Sequence, residues 1–447
     1  MDYALIWAVI GGITVLLVLI LYFKIQAFIS LLIASITVGL IAGMPPLDII
    51  TNMQKGMADT LGFVATVVGL GAIFGAILEE SGGAKSIANF LLKRTGEKRA
   101  SLAMMIAGFL VAIPVFFDVA FIILVPMIYA LQKKTGKSLL LYGIPLLAGL
   151  AITHSFIPPT PGPVAVADII NADLGWVILF GGIVGIPTAI ISGPIFGKFI
   201  ASKLHLSAPD THEEDAQQDN TLPSAWIIIS IIGIPIVLIV FNTVMKSFGE
   251  DLTIPAHMKA WLQMVGHPFV ALIIANLIAW YLLGIRRGYS RDALLRISSK
   301  SLAPAGTIIL LTGAGGVFKQ MLIETGAGEM LATSMSDAGL TVLAFAFVVA
   351  ALVRILQGSA TVAMTTAAGM TAPLLEASTP SEVQKALLVI AIASGATILS
   401  HVNDSGFWLV SRYLGMSERQ TLSSWTMMTT LIALVGFITV ILLSYLV

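Results

Sequence analysis

The sequence predicts an all-α polytopic membrane protein of two inverted-topology repeats, each about five transmembrane spans plus one re-entrant hairpin, with broken helices at mid-membrane. Three observations predict it. First, 57% of the 447 residues are hydrophobic and only 11% are charged, against about 25% charged in a soluble domain. Apolar runs of about 18 or more residues, long enough to cross roughly 30 Å of hydrocarbon, recur from end to end. Second, Gly69-Leu-Gly71-Ala-Ile-Phe74 through Leu78, Glu80-Ser81-Gly82 recurs as Gly313-Ala-Gly315-Gly-Val-Phe318 through Leu322, Glu324-Thr325-Gly326, at an offset of 244 residues. Seven of fourteen positions coincide, which marks a duplicated unit. Third, the charges of corresponding loops are reversed between the copies, so the halves sit in opposite orientations.

Taken in order, residues 3–22 lack a basic n-region and a small-residue cleavage site, and read as a retained span. A second span at 26–43 closes at Pro45 and Pro46, and a short loop, 47–59, leads to the Gly-rich span 60–78. The basic loop 85–99 (Lys85, Lys93, Arg94, Lys98, Arg99) is expected in the cytoplasm. The next apolar stretch, 101–131, is interrupted by Pro114 and Asp118 and followed by Lys133, Lys134 and Lys137. One straight span would put its basic flanks on opposite faces, whereas a hairpin with its tip at Pro114–Asp118 keeps both inside. Such backbone is acceptable only where protein or water surrounds it. A span from 139 runs into four prolines, Pro158 to Pro163, which cannot continue a helix. Residues 174–199 complete the first repeat (1–200), and the polar stretch 201–222 reads as a cytoplasmic linker.

The second repeat (223–447) follows the same plan. Spans at 224–244 and 262–283 precede a loop, 284–300, with Arg286, Arg287, Arg291, Arg296 and Lys300. The Gly-rich span 304–322 and the stretch 329–339, without a basic residue, follow. A hairpin at 341–372 carries Arg354-Ile-Leu-Gln-Gly-Ser-Ala-Thr361 near its middle. A broken span at 386–409 contains Ser400-His-Val-Asn-Asp-Ser-Gly406, and a final span covers 421–446.

Several classes of function are excluded or disfavoured. Zero net charge argues against nucleic acid. Without cysteine there is no disulfide framework, thiolate metal site or thiol catalysis. No Walker-type phosphate loop is present, and His212-Glu213-Glu214-Asp215 lacks the second His of a zinc protease, so neither a cofactor nor a metal is expected. What remains are polar residues at the breaks. Asp118, a carboxylate at mid-bilayer, is a proton-carrier candidate or a structural acceptor at a helix break. His154 and His401 enter matched broken segments, where an imidazole is a candidate to move a proton or only caps its own break. Asp404, in Asn403-Asp404-Ser405-Gly406, suits a proton, a cation or backbone donors. Arg354 needs a partner inside the membrane: a substrate carboxylate, or an ion pair with Asp118 or Asp404. Gly358-Ser359-Ala-Thr361 offers hydroxyls at a hairpin tip, or merely close helix packing. Glu80 and Glu324, at matching span ends, face the interface.

The runs His154-Ser-Phe-Ile-Pro-Pro-Thr-Pro-Gly-Pro163, Gly358-Ser-Ala-Thr-Val-Ala363 and Ser400-His-Val-Asn-Asp-Ser-Gly-Phe-Trp-Leu409 resemble the gluconate permease family of proton symporters. Phe117-Asp118-Val119 and the run at 313–318 add to the likeness, which covers essentially the whole chain. The resemblance implies import of gluconate or a related sugar acid with protons across the bacterial inner membrane. A branch of that family carries D-serine, and the wider ion-transporter group combines inverted repeats with elevator-type, often dimeric, movement. Some relatives have His at Thr160 and Glu at Asp118, whereas Pro161-Gly162-Pro163 resembles the sugar-acid branch. On this reading Asp118, His154, His401 and Asp404 are the proton-coupling candidates. Ser155, Thr160, Gly162, Arg354, Gly358, Ser359, Thr361, Asn403 and Ser405 are the substrate-binding ones. The expected partners are a small hydroxylated carboxylate, the lipid bilayer and a second copy of the chain in a homodimer; the proton gradient serves as energy source. Competing readings are a proton-coupled carrier of another small carboxylate or amino acid, a channel, and, remotely, a membrane-embedded enzyme.

Overall fold

The computed structural model describes residues 3–208, 222–248, 255–327, 330, 341–376 and 380–446. Every regular element among these is helical, and eight helices are long and apolar enough to cross a membrane. The linker at 209–221 and most of the stretch 329–339 lie outside the described residues.

Helices α1 (Tyr3–Leu21) and α2 (Ala27–Ile41) match the first two expected spans, and the Gln26 side chain caps α2 by accepting from the Phe28 amide at 2.9 Å. The expected loop 47–59 is instead helical. Pro46 opens α3 (Pro46–Glu80), a single 35-residue helix. Proline ends a helix but also starts one, because the first-turn N–H needs no intrahelical acceptor. At 1.5 Å per residue α3 measures about 52 Å, so its polar first turns project beyond the hydrocarbon rather than forming a loop. The same correction applies to 284–300. Only a short 3-10 turn (Ile285–Arg287) precedes α14 (Arg291–Glu324), whose N-cap is Ser290. The basic stretch 85–99 is also a helix, α4 (Gly83–Thr95), with a following 3-10 turn; Lys93 and Arg94 sit in its last turn, where cations suit the helix dipole.

The two long helices cross antiparallel at the centre of the molecule. At one end Lys55 of α3 meets Glu324 of α14 at 3.2 Å. At the other, the Tyr289 hydroxyl beside the start of α14 donates to the Glu80 carbonyl at 2.9 Å. Between these ends, Gly56 lies against Val317, Gly316 and Gln320, and Gly313 lies against Leu61. Of these glycines Gly313 belongs to the duplicated set, and its counterpart Gly69 has only Leu302 within 4 Å. The remaining helices follow as α5 (Ala100–Val111), α6 (Phe117–Thr135), α7 (Leu140–Phe156), α8 (Pro161–Ile169), α9 (Leu174–Ile190) and α10 (Phe196–Lys203). In the second half they are α11 (Ala225–Phe248), α12 (Ala256–Val265), α13 (Pro268–Ala279), α15 (Val342–Gln357), α16 (Ala360–Glu376), α17 (Glu382–Gly395), α18 (Ser405–Tyr413), α19 (Glu418–Thr421) and α20 (Met427–Ser444). Helix α2 packs on α14 and α13 on α3; α5 packs on α7 and α15 on α17. These two pairings of the first half have counterparts in the second.

At the crossing, a Cβ on Gly316 would lie 2.7 Å from the Gly56 carbonyl oxygen, a backbone atom with little room to yield. Gly316→Val is expected to lower stability by about 1–3 kcal/mol through overpacking. Gly306→Ala, where nothing lies within 4 Å, should be neutral; thermal unfolding of the purified protein in detergent reads both.

Candidate functional site

Four helices stop and restart inside the apolar body. The break between α5 and α6 spans 112–116, with Pro114 in it; α5 has 12 residues and so measures about 18 Å. Asp118 lies in the first turn of α6, where a carboxylate is favoured by the helix dipole. Between α15 and α16 only Gly358 and Ser359 are non-helical. Gly358 has φ +89°, the left-handed conformation that closes α15, and a side chain there would also strike the Asn403 backbone. Between α7 and α8 the break is just 157–160, shorter than four prolines suggest, because Pro161 opens α8 and Pro163 lies in its first turn. Between α17 and α18 it covers 396–404.

Polar side chains tie these breaks together. Arg354, 5% exposed, pairs with Asp404 and donates to the Gly358 carbonyl, while its Nε has no partner among the described residues. Asp404 caps α18 by accepting from the Gly406 amide at 3.1 Å and also accepts from the Ser400 hydroxyl. Trp425 Nε1 donates to that same hydroxyl at 2.6 Å. The ring of His401 (Nε2) and the Asn403 amide (Nδ2) reach the Ile355 carbonyl at 2.9 and 3.0 Å, engaging backbone that the end of α15 leaves open. Of the alternatives open for Arg354, the structure has the ion pair to Asp404.

The breaks enclose a cavity of about 450 Å³. Asp118, His154, Ser155, Arg354 and Gly358 line it, as do Ser359, Thr361, Asn403, Asp404 and Ser405. Three candidates lie elsewhere. Thr160 donates to the Ile157 carbonyl at 2.6 Å beside a smaller cavity, Gly162 packs against Met364, and His401 faces α15. Sequence reasoning missed Phe116, Phe117, Gln357, Thr397, Trp425 and Thr429, which also line the cavity. Thr397 could have been found by extending the broken segment back toward Gly395. Trp425 carries no such signal, since within an apolar final span it reads as a membrane-facing aromatic.

The lining combines groups that attract an anion with two carboxylates, Asp118 and Asp404. The first turns of α6, α16 and α18 all border the cavity, and each helix start carries unpaired amides and a partial positive charge. The Arg354 guanidinium adds a full charge that Asp404 balances. Asp118 differs from Asp404, because it has neither a hydrogen bond nor an ion pair among the described residues. No group of three or more His, Cys, Asp or Glu that could hold a metal occurs among the described residues.

Against known proteins, the sequence profile of the GntP family permease matches residues 3–446. The chain belongs to the GntP permease family. It is 42% identical over 434 residues to the low-affinity gluconate transporter of Escherichia coli K12, covering 97% of both chains. It is 35% identical over 433 residues to the Gnt-II system L-idonate transporter of the same organism, covering 96% of this chain and 97% of the relative. Among solved structures, the YdaH transporter of Alcanivorax borkumensis shares the fold, with a TM-score of 0.62 at 16% identity over 88% of this chain and 87% of that one. The permease is thus a multi-pass membrane protein whose relatives are named as transporters.

In this permease Asp404→Asn would leave a buried guanidinium without its carboxylate, and breaking such a pair costs about 3–5 kcal/mol. The expected result is a marked drop in thermal stability in detergent, with much of it recovered in the double variant Arg354→Met/Asp404→Asn. An unchanged melting temperature for Asp404→Asn would show that the pair does not hold the break.

Proposed function

We propose that the permease is a secondary active transporter that imports gluconate or a related sugar acid with protons across the bacterial inner membrane. One observation carries the reading: a single cavity combines a buried guanidinium, three helix starts, several hydroxyl and amide groups, and a carboxylate, Asp118, without a hydrogen-bond or ion-pair partner among the described residues. A sugar acid presents one carboxylate and a chain of hydroxyls, and that lining complements both. The carboxylate is bound by the first-turn amides of α16 together with Arg354. Ser155, Ser359, Thr361, Asn403 and Ser405 serve the hydroxyls. The relatives named for gluconate and for L-idonate support a sugar acid as the class.

Asp118 is the proton carrier on this reading. Asp404 already accepts from Arg354, Ser400 and Gly406, so protonating it would break the structure around the site. Asp118 can gain and lose a proton without that cost, and neutralising it removes a like charge from the path of an incoming anion. Without a cofactor, the proton gradient supplies the energy.

The antiparallel α3 and α14 support two inverted repeats, 1–200 and 223–447, joined by the cytoplasmic linker 201–222, with the hairpins re-entrant. Basic residues crowd the end where α3 finishes and α14 begins, and that end is assigned to the cytoplasm. All the cavity residues except Ile308 of α14 belong to the elements between α5 and α8 or after α14. Alternating access then follows if that hairpin-bearing bundle moves against the α3–α14 pair, with a homodimer steadying the latter.

In proteoliposomes, an inward proton gradient should drive gluconate accumulation, with sodium having no effect. Asp118→Asn should abolish accumulation while gluconate exchange at equal pH remains measurable. Uptake that follows sodium and ignores pH would overturn the proton reading; stronger competition by D-serine than by L-idonate would overturn the substrate class.

A further inference from the structure

Two further cavities lie behind the substrate cavity and share its wall. The first, about 10 Å³, is the size of one water and is bordered by His154, Gly71, Pro114 and Thr160. The second, about 300 Å³, opens beyond it between α3 and α14 and contains Glu79, Glu80 and Lys300. Phe116 borders all three, and Pro114 and Val115 separate the small cavity from the outer one. The partition between the substrate cavity and the end of the molecule with the basic residues is therefore the unwound backbone of the first break. His154 spans it, lining both the main and the small cavity, and its Nδ1 is buried without a partner among the described residues. A ring nitrogen so placed calls for a hydrogen-bonding molecule beside it. The Thr160 hydroxyl, which lines the small cavity, and the Pro159 carbonyl, which lies against Gly71, supply the further partners that a buried water requires.

We propose that His154 and one water in the small cavity carry the proton from the substrate cavity to Glu79 in the outer one. The inference rests on the proton-coupled reading above. A proton leaving Asp118 enters on one nitrogen of His154 as the other nitrogen releases its proton to the water. The imidazole returns neutral with its tautomer exchanged, the water passes one proton on, and the Glu79 carboxylate takes it before releasing it to solvent. Arg354 and Asp404 face the inner end of this path, and Glu80 and Lys300 flank its outer end. The path also gives Gly71 a role, because a side chain at that position occupies the water's place.

Gly71→Ala tests this. Its Cβ would lie 3.4 Å from the Pro159 carbonyl oxygen, an ordinary contact, so the methyl fits but fills the cavity. Gly69→Ala is the control, since its Cβ meets only Leu302 at 3.8 Å. In proteoliposomes with gluconate as probe, Gly71→Ala should lose about tenfold or more of pH-gradient-driven uptake and keep its exchange at equal pH. Gly71→Ser, one heavy atom larger than the Ala variant and carrying a hydroxyl in the water's place, should regain part of the driven uptake. Gradient-driven uptake by Gly71→Ala at the wild-type rate would overturn the proposal, as would equal loss in the Ala and Ser variants or a parallel loss of exchange. Wild-type protein that ignores the pH gradient would instead overturn the symport reading on which it stands.

Discussion

Backbone that leaves the helix inside a bilayer must find hydrogen-bond partners, because lipid offers none and each unsatisfied group costs several kcal/mol. That constraint accounts for the polar side chains that gather at the breaks of this permease. His401 and Asn403 serve the end of α15, Asp404 serves the start of α18, Thr160 serves Ile157, and Thr426 serves the Ser400 carbonyl at 2.5 Å. Arg354 belongs to the same scheme. Its charge cannot be removed, so it holds Asp404, and through Ser400 and Trp425 it ties the hairpin α15–α16 to the segment that leads into α20. The breaks are thus mutually braced, and a cavity lined by donors is what remains between them.

Much of this was legible in the sequence. The duplicated glycines and the reversed charges depend on residue identity alone, and prolines or an isolated Asp in an apolar run announce a break wherever they occur. Ten of the thirteen candidate site residues line one cavity, since the rule that found them (a polar group at a break) is the physical rule that builds the site. The failures have a common cause as well. Stretches 47–59 and 284–300 read as loops because polarity was equated with irregular backbone, whereas helices of 35 and 34 residues overshoot the hydrocarbon and must be polar where they emerge. His401 was placed in the site by symmetry with His154, but its ring turns to a carbonyl of α15 that no sequence pattern identifies. Trp425 was invisible because its role depends on a contact with Ser400, 25 residues away across a break.

The two intramembrane carboxylates show how environment assigns roles to identical groups. Asp404 and Asp118 each sit at a helix start that lines the same cavity, yet one is surrounded by donors and the other has none among the described residues. A carboxylate with several donors stabilises its neighbours only while charged. A carboxylate without them is free to change protonation with little structural consequence, which is what a coupling site requires. The same contrast separates the histidines: His401 is tied to Ile355, whereas a buried nitrogen of His154 has no partner among the described residues.

The duplicated glycine run serves different tasks at different positions, so helix packing alone does not account for it. Gly313 and Gly316 let α3 and α14 cross closely. Gly71 and Gly75, on the corresponding face of α3, instead lie under the two breaks of the first half, beside Pro159 and the Pro114 carbonyl. Backbone that is non-helical at mid-membrane needs space as well as partners, and a helix without side chains at those points supplies it. Gly315 has the matching position in the second half, against Thr365 of α16 at 3.3 Å. One sequence feature thus builds the crossing at the centre of the fold and the surface on which the breaks rest, and that surface must stay smooth if the hairpin-bearing bundle is to move across it.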